Sequence, residues 1–455
     1  AAKAVAWPDI PDRPRRAGIS SFGFSGTNAH VILEGYVGSS ASTSATVDLA
    51  GLEVPDFAPR HSRLLPLSGK TAEALRAVAG RYQDWLDTHS DADLDDMCFT
   101  AGVGRSHFAE RAGIVFNDRS ELQAGLSALL GDGVSSGLVR GSSRGSPRIA
   151  FLFTGQGSQW AGMGERLYQT EPVFRAVLDR CEAIILQERG TSLLDVMFGR
   201  IGGLDDTMWT QPALYALQVG LVELYSSVGV SASVVMGHSV GEIAAAYAAG
   251  VFDLETGLRL SAGRGALMGS LPAGGVMTAV FASAAQVGAA LEAEPLVCLA
   301  ADNGAHQVVS GAEVDVARLE ARFGAEGIRT ERLRTSHAFH SELMAPVLDD
   351  LERLVNGLTG HPAQLTLISN VTGAALGLDE RLDGGYWRRH ARAPVRFAEG
   401  LSGLSAAGVD LVVEIGPHPV LTALALSAWS GKTSPKAVAS LRRGADEESN
   451  FRRAL

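Results

Sequence analysis

The sequence predicts an α/β fold: a mostly parallel sheet with helices on both faces, an inserted ferredoxin-like unit, and a small α/β domain ahead of them. Three observations carry that prediction. Residues 231–236 read as a buried strand, Gly237-His238-Ser239-Val240-Gly241 as a tight turn, and 242–249 as an alanine-rich helix ending at Gly250. Apolar, strand-like runs at 148–153 and 411–415 alternate with helical stretches such as 212–225, which is the pattern of a parallel sheet. From Met277 to Leu333 the order changes to βαββαβ, the ferredoxin-like order.

Taken in order, residues 1–34 end in a Gly- and Phe-rich run and a short strand, Val31-Ile32-Leu33. That is too little chain to bury a core by itself; the run resembles the C-terminal end of a ketosynthase domain, whose catalytic residues would lie upstream, and His30 is accordingly read as structural. Gly38 to Asp48 is rich in Ser, Ala and Thr and reads as a flexible surface segment. The small α/β domain follows, with strands at 64–70 and 111–116. Its helices are expected at 71–89, with an apolar stripe at Leu75, Val78, Tyr82, Trp85 and Leu86, and at 119–130. A Gly/Ser-rich linker, Gly141 to Pro147, closes it. A new core starts at 148–153 and leads through Thr154-Gly155-Gln156-Gly157-Ser158-Gln159 into a helix. The inserted unit has strands at 277–282, 296–300, 306–310 and 328–333 and helices at 285–293 and 314–323. The larger sheet resumes after Leu343. Residues from Thr433 onward are charged and weakly patterned, a wrap-around tail or linker.

Composition narrows the function. The 455 residues suffice for two or three domains, and 46% hydrophobic with 20% charged residues is a globular balance. A net charge of −11 disfavours nucleic acid and anionic membrane surfaces as partners. The three cysteines, Cys98, Cys181 and Cys298, are too few and too scattered for a disulfide framework or a zinc site. They read as buried small apolar residues in a reducing compartment. No apolar run is long enough to span a bilayer and no signal-peptide pattern opens the chain, so a soluble, cytoplasmic protein is expected.

The Gly-x-Ser-x-Gly turn between a strand and a helix is a nucleophile elbow, the device of an α/β-hydrolase-like core. Its glycines let strand and helix approach closely, and they lift the Ser239 hydroxyl onto an exposed turn. The Val240 N–H, at the helix start, can face a developing oxyanion. A serine needs a base at neutral pH. Six histidines follow it: His306, His337, His340, His361, His390 and His418. The hydrolase order of acid then late His favours His418 beside Glu414, whereas the cluster Ser336-His337-Ala338-Phe339-His340-Ser341 favours His340, where the inserted unit rejoins the main body.

Gly155-Gln156-Gly157-Ser158-Gln159, Gly237-His238-Ser239-Val240-Gly241-Glu242, Arg264 and His337-Ala338-Phe339-His340 occur together in one order. This set resembles the acyltransferase domain of a modular type I polyketide synthase. It is similar, more distantly, to the malonyl-CoA:acyl carrier protein transacylases of fatty acid synthesis. The resemblance implies a ketosynthase C-terminal tail at 1–34 and a ketosynthase-to-acyltransferase linker domain at 35–147. It implies an acyltransferase large subdomain at 148–275 and 337–432, a ferredoxin-like small subdomain at 276–336 and a post-acyltransferase linker at 433–455.

The resemblance also implies roles. Ser239 would be the nucleophile and His340 the general base, oriented by a backbone carbonyl rather than an acidic side chain. Gln156 and Val240 would supply the oxyanion-hole N–H groups. Arg264 would grip the free carboxylate of an extender unit through a planar fork. His238 and Asn303 would help shape the pocket. His337 and Phe339 belong to the family's malonyl pattern, with Val240 agreeing. Phe339 would fill the space of an α-methyl branch, a difference worth only ~1–3 kcal/mol. No cofactor would be permanently bound. Malonyl-CoA would be the substrate, and the partners would be a phosphopantetheine-bearing acyl carrier protein and the other domains of a multifunctional enzyme of antibiotic biosynthesis. Three rivals remain: a methylmalonyl-CoA enzyme of the same kind, a serine hydrolase or thioesterase using Ser239 with His418, and a non-catalytic scaffold that positions carrier proteins.

Overall fold

The computed structural model describes residues 16–22, 28–34, 58, 60–143, 145–377, 380–431 and 433–455. The segment Gly38 to Asp48, expected to be flexible, lies outside the described residues. The chain divides into two compact units, Ala1–Asp56 and Phe57–Leu455. In the first, β1 (Arg16–Phe22) pairs antiparallel with β2 (Asn28–Glu34). Across that ladder Ser20 Oγ lies 2.8 Å from His30 Nδ1, which gives His30 a local partner.

The second unit opens with an antiparallel sheet of β3 (Arg63–Gly69), β4 (Glu110–Phe116) and β5 (Leu138–Ser142), in that order. Helices Ala72–Thr88, Leu94–Val103 and Arg119–Leu130 complete the domain, whose core includes Leu65, Leu86, Ile114, Phe116, Leu122 and Leu126. The side chains of Thr71, Asp93 and Asp118 each accept a backbone N–H at the start of one of these helices, which fixes where it begins. Two features differ from the sequence expectation. Leu94–Val103 forms a helix where none was expected, and Gly141 and Ser142 are part of β5, paired with Arg111 and Glu110, rather than the start of a linker.

The central sheet has five parallel strands: β6 (Ile149–Phe153), β7 (Val234–Gly237), β12 (Thr366–Ile368), β14 (Leu411–Ile415) and β15 (Lys436–Ala439). Their order is β12-β7-β6-β14-β15. The chain therefore adds strands first on one side of β6 and then on the other. Crevices at such a switch, beyond the carboxyl ends of the strands, are where α/β sheets place their sites. Buried Gln218 pins this end, with its Nε2 donating to the Thr154 carbonyl at 2.8 Å and within reach of the Ile415 carbonyl at 3.4 Å.

The inserted unit contains β8 (Gly275–Val280), β9 (Cys298–Asp302), β10 (Gln307–Ala312) and β11 (Thr330–Arg332) in the antiparallel order β11-β8-β10-β9. That is the ferredoxin-like arrangement. The sheet does not end there: β13 (Val395–Arg396), from the returning chain, adds parallel to β9. The last strand and helix correct the expectation of a weakly structured tail. β15 completes the central sheet, and helix Glu447–Ala454 buries Phe451 against Tyr225 at a ring separation of 4.9 Å. Its Glu447 accepts the N–H groups of Gly164, Arg166 and Leu167, while Glu448 accepts those of His61 and Ser62. Burial pushes the Glu447 carboxyl up to about 7.

All three cysteines are free, but only Cys181 is buried; Cys98 and Cys298 are half-exposed, unlike the expectation. Among the described residues no helix is long and apolar enough to cross a membrane, and no cluster of three metal-ligating side chains occurs.

Candidate active site

The turn between β7 and helix Gly241–Ala248 is built by exclusion. A Cβ at Gly237 would stand 2.1 Å from the Glu242 nitrogen, and one at Gly241 would stand 2.4 Å from the Phe153 carbonyl oxygen. Only glycine fits at either place. Between them Ser239 adopts φ +50°, a left-handed conformation that L-residues rarely take. Its own N–H donates to Asn370 Oδ1 at 2.7 Å. Asn370 is held in turn: its side-chain amide donates to the Gly237 carbonyl, and its backbone N–H donates to Glu242 Oε2 at 2.7 Å. The next N–H, of Val240, has no acceptor among the described residues, and neither has that of Gln156 in the turn that follows β6. The Val240 N–H, next in the chain to Ser239, is free to stabilise a negative oxygen.

The Ser239 hydroxyl faces His340, with Oγ 2.8 Å from Nε2. The opposite ring nitrogen, Nδ1, is 2.8 Å from the carbonyl oxygen of Ala393, so it carries the proton. That leaves Nε2 free to accept from the serine. His340 is buried and adopts φ +58°. Among the described residues only Asp132 joins Ser239 and His340 as a non-glycine with positive φ. Strain of this kind collects where a geometry must be held for function. Burial, and then the nearby Arg264 charge, push the His340 imidazole down to about 3, so it is neutral at physiological pH.

Arg264 sits on helix Leu254–Gly269 and is 2% exposed. One guanidinium nitrogen, Nη1, donates to Gln211 Oε1 at 2.7 Å, while Nε is buried with no partner. Burial lowers its pKa to about 10, against the opposing pull of the Glu242 carboxylate. A buried guanidinium with unused donors suits an anionic ligand.

The remaining predicted residues fall around this centre. His238 Nε2 lies 3.0 Å from Asn303 Oδ1, and Asn303 Nδ2 lies 3.1 Å from His306 Nε2. Asn303 thus bridges the elbow to the inserted unit. His337 is anchored through Nε2 to the Leu271 carbonyl at 2.9 Å, and its ring lies 6.1 Å from the buried Phe339 ring. His418 is elsewhere: its Nδ1 accepts the Arg443 N–H at 3.3 Å. Glu414 is equally committed, capping the N–H groups of Val420, Leu421 and Thr422. Among the described residues the Ser239 hydroxyl meets His340, and no hydrogen bond joins it to His418 or Glu414.

Sequence reasoning passed over several residues. Asn370, Glu242 and Tyr386 form a buried brace behind the elbow, the Tyr386 hydroxyl bonding both Glu242 and Ser369. Burial pushes the Glu242 carboxyl up to about 7, opposed by the Tyr386 hydroxyl, the Asn370 N–H and Arg264. His390 is buried between the rings of His340 and Trp387, with neither ring nitrogen hydrogen-bonded. Burial holds it well below the usual imidazole range, so it packs as an uncharged ring.

The family described as acyl transferase domain matches residues 150–455, and a region described as CurL-like, PKS C-terminal matches residues 63–126. The chain is 42% identical over 427 residues to polyketide synthase GfsB of Streptomyces halstedii, covering 93% of this chain and 8% of that protein. It is 41% identical over 419 residues to mycoketide-CoA synthase of Mycobacterium tuberculosis, covering 92% of this chain and 10% of that one. It therefore spans about a tenth or less of the length of these relatives. Among solved structures, the acyltransferase domain from module 8 of the salinomycin polyketide synthase superposes with a TM-score of 0.80 at 30% identity, over 86% of this chain and 94% of that one.

Proposed function

The chain belongs to the acyltransferase domains of modular type I polyketide synthases, and from that premise we propose that it loads a malonyl unit from malonyl-CoA onto an acyl carrier protein through an ester on Ser239. The observation that carries this reading is the 2.8 Å contact of Ser239 Oγ with a neutral, carbonyl-oriented His340, beside a buried Arg264 with donors to spare.

In the first half-reaction His340 Nε2 takes the Ser239 proton as Oγ attacks the thioester carbonyl carbon. The N–H groups of Gln156 and Val240 hold the resulting oxyanion. The carbon–sulfur bond breaks, and the imidazolium returns its proton to the departing CoA sulfur. In the second half, a phosphopantetheine thiol of the carrier protein gives its proton to His340 and attacks the ester carbonyl, and Ser239 leaves with that proton. Removing one oxyanion donor from such a site costs roughly 2.7–4 kcal/mol. Arg264 binds the free carboxylate of the acyl group. That carboxylate also offsets the positive charge that depresses His340, which makes the base stronger once the correct substrate is seated.

The preference for malonyl over methylmalonyl is assigned to Phe339, whose ring, buried beside that of His337, would take the volume of an α-methyl branch. The test is competition between the two CoA thioesters, with products followed on the carrier protein. Wild-type protein should transfer malonyl preferentially, and His337→Tyr combined with Phe339→Ser should narrow the preference. An unchanged preference in the double variant would contradict the steric account. Release of free malonate matching transfer to the carrier protein would favour the thioesterase reading, and no turnover of either thioester would favour the scaffold.

A further inference from the structure

Arg264 and Gln156 lie at opposite ends of an unbroken line of side chains. Arg264 Nη1 donates to Gln211 Oε1 at 2.7 Å, Gln211 Nε2 donates to Thr207 Oγ1 at 3.0 Å, and Thr207 Oγ1 donates to Gln156 Oε1 at 2.9 Å. Thr207, Gln211 and Arg264 are each 2% exposed or less. The direction of the line is fixed by chemistry. A guanidinium only donates, so Gln211 must turn its oxygen to Arg264 and its amide N–H to Thr207. Thr207 then has its single hydrogen left for Gln156.

The backbone is arranged for this line. Thr207 and Gln211 are one turn apart on helix Thr207–Ser227, so they share a face. Helix Leu254–Gly269 presses against that face: a Cβ at Gly265 would stand 2.7 Å from the Thr207 carbonyl oxygen. The neighbouring Arg264 is thereby brought onto Gln211.

We propose that Thr207 and Gln211 are positioning residues that couple carboxylate binding at Arg264 to the placement of the Gln156 N–H in the oxyanion hole. The proposal rests on the acyl-transfer reading above and deepens it. A carboxylate on Arg264 shares the guanidinium with Gln211, and the amide of Gln211 fixes the Thr207 hydroxyl that holds the Gln156 side chain. The residue whose N–H must meet the oxyanion is in this way steadied by the same substrate that reacts. An acyl group with no carboxylate leaves the far end of the line empty and gains nothing from it.

The experiment compares wild type, Thr207→Val, Thr207→Ser, Arg264→Ala and the Thr207→Val/Arg264→Ala double variant. Rates of Ser239 acylation are measured with malonyl-CoA and with acetyl-CoA. Thr207→Val should lower the malonyl rate about tenfold, as expected for one hydrogen bond lost between buried groups, while KM stays within about twofold. Thr207→Ser, which keeps the hydroxyl, should restore the rate. The acetyl rate should change by less than about twofold, and adding Thr207→Val to Arg264→Ala should have no further effect, because coupled residues are not additive.

Equal slowing of malonyl and acetyl acylation by Thr207→Val would overturn the coupling. So would a rise in malonyl KM alone, a failure of Thr207→Ser to restore the rate, or full additivity in the double variant. Wild-type protein that acylates Ser239 with neither thioester would instead overturn the acyl-transfer reading itself, and the two failures are therefore distinct.

Discussion

The β3–β5 domain and the site at the ends of β6 and β7 treat buried polar groups in opposite ways. In the first, Leu65, Ile114, Leu122 and Leu126 fill the interior, and among the described residues no buried side-chain polar atom there lacks a partner. In the second, Arg264 Nε and both ring nitrogens of His390 are buried without a hydrogen bond, His390 Nε2 standing 3.9 Å from Glu242 Oε2, and Ser239 and His340 hold left-handed backbone conformations. Unpaired buried polar atoms and strained backbones each cost stability. The first region is assembled for folding. The second gives up stability to keep donors and a nucleophile free for a ligand.

Four changes would break or sharpen that contrast. The largest effect should come from His340→Ala, which leaves Ser239 without a base and should lower acyl transfer on the order of 10⁴-fold. Stopped-time acylation assays would check it, with thermal unfolding showing no comparable loss of structure. Arg264→Ala should lower malonyl kcat/KM about 100-fold while leaving acetyl transfer far less affected, since two charge-assisted hydrogen bonds are lost. It should also move a pH limb. Arg264 disfavours protonation of His340, so removing it raises the His340 pKa toward its ordinary value. The base works only when neutral, so the acidic limb of acetyl transfer should shift to higher pH, and a limb that stays in place would contradict the electrostatic link.

In the small domain the same kind of experiment should move stability and not chemistry. Ile114→Ala, at a fully buried site packed against helix Arg119–Leu130, should cost about 2–5 kcal/mol in denaturant unfolding of that domain, with little change in kcat. The smallest effect should follow Arg63→Met. Arg63 and Asp95 form a two-pronged bond at 2.8 Å, but Asp95 is largely exposed, so the loss should stay below about 1 kcal/mol.

Much of this was legible in the sequence where the signal is local. The strand, turn and helix around Ser239 are consecutive, and the βαββαβ order is a change of period that can be read along the chain. Other features were hidden for identifiable reasons. Helix Leu94–Val103 buries only Met97 and Ala101, too few for a stripe. Helix Glu447–Ala454 hides two glutamates that cap backbone N–H groups, so its buried face looks like a solvated one. Within the site, Ala393 acts through its carbonyl and leaves no mark in any side-chain pattern. Asn370, in Ser369-Asn370-Val371-Thr372-Gly373, looks like an ordinary turn residue until folding brings it to Ser239 from 131 positions away. Thr207 and Gln211 sit in a helix that is buried on nearly every side, where polar residues carry no periodicity.

The central claim is that Ser239 carries the acyl group, and mass measurement of the intact protein after brief mixing with malonyl-CoA tests it most directly. Wild-type protein should gain the mass of one malonyl group, and Ser239→Ala should gain none. An adduct that persists in Ser239→Ala, or a wild-type protein that stays unmodified while free malonate accumulates, would contradict the account.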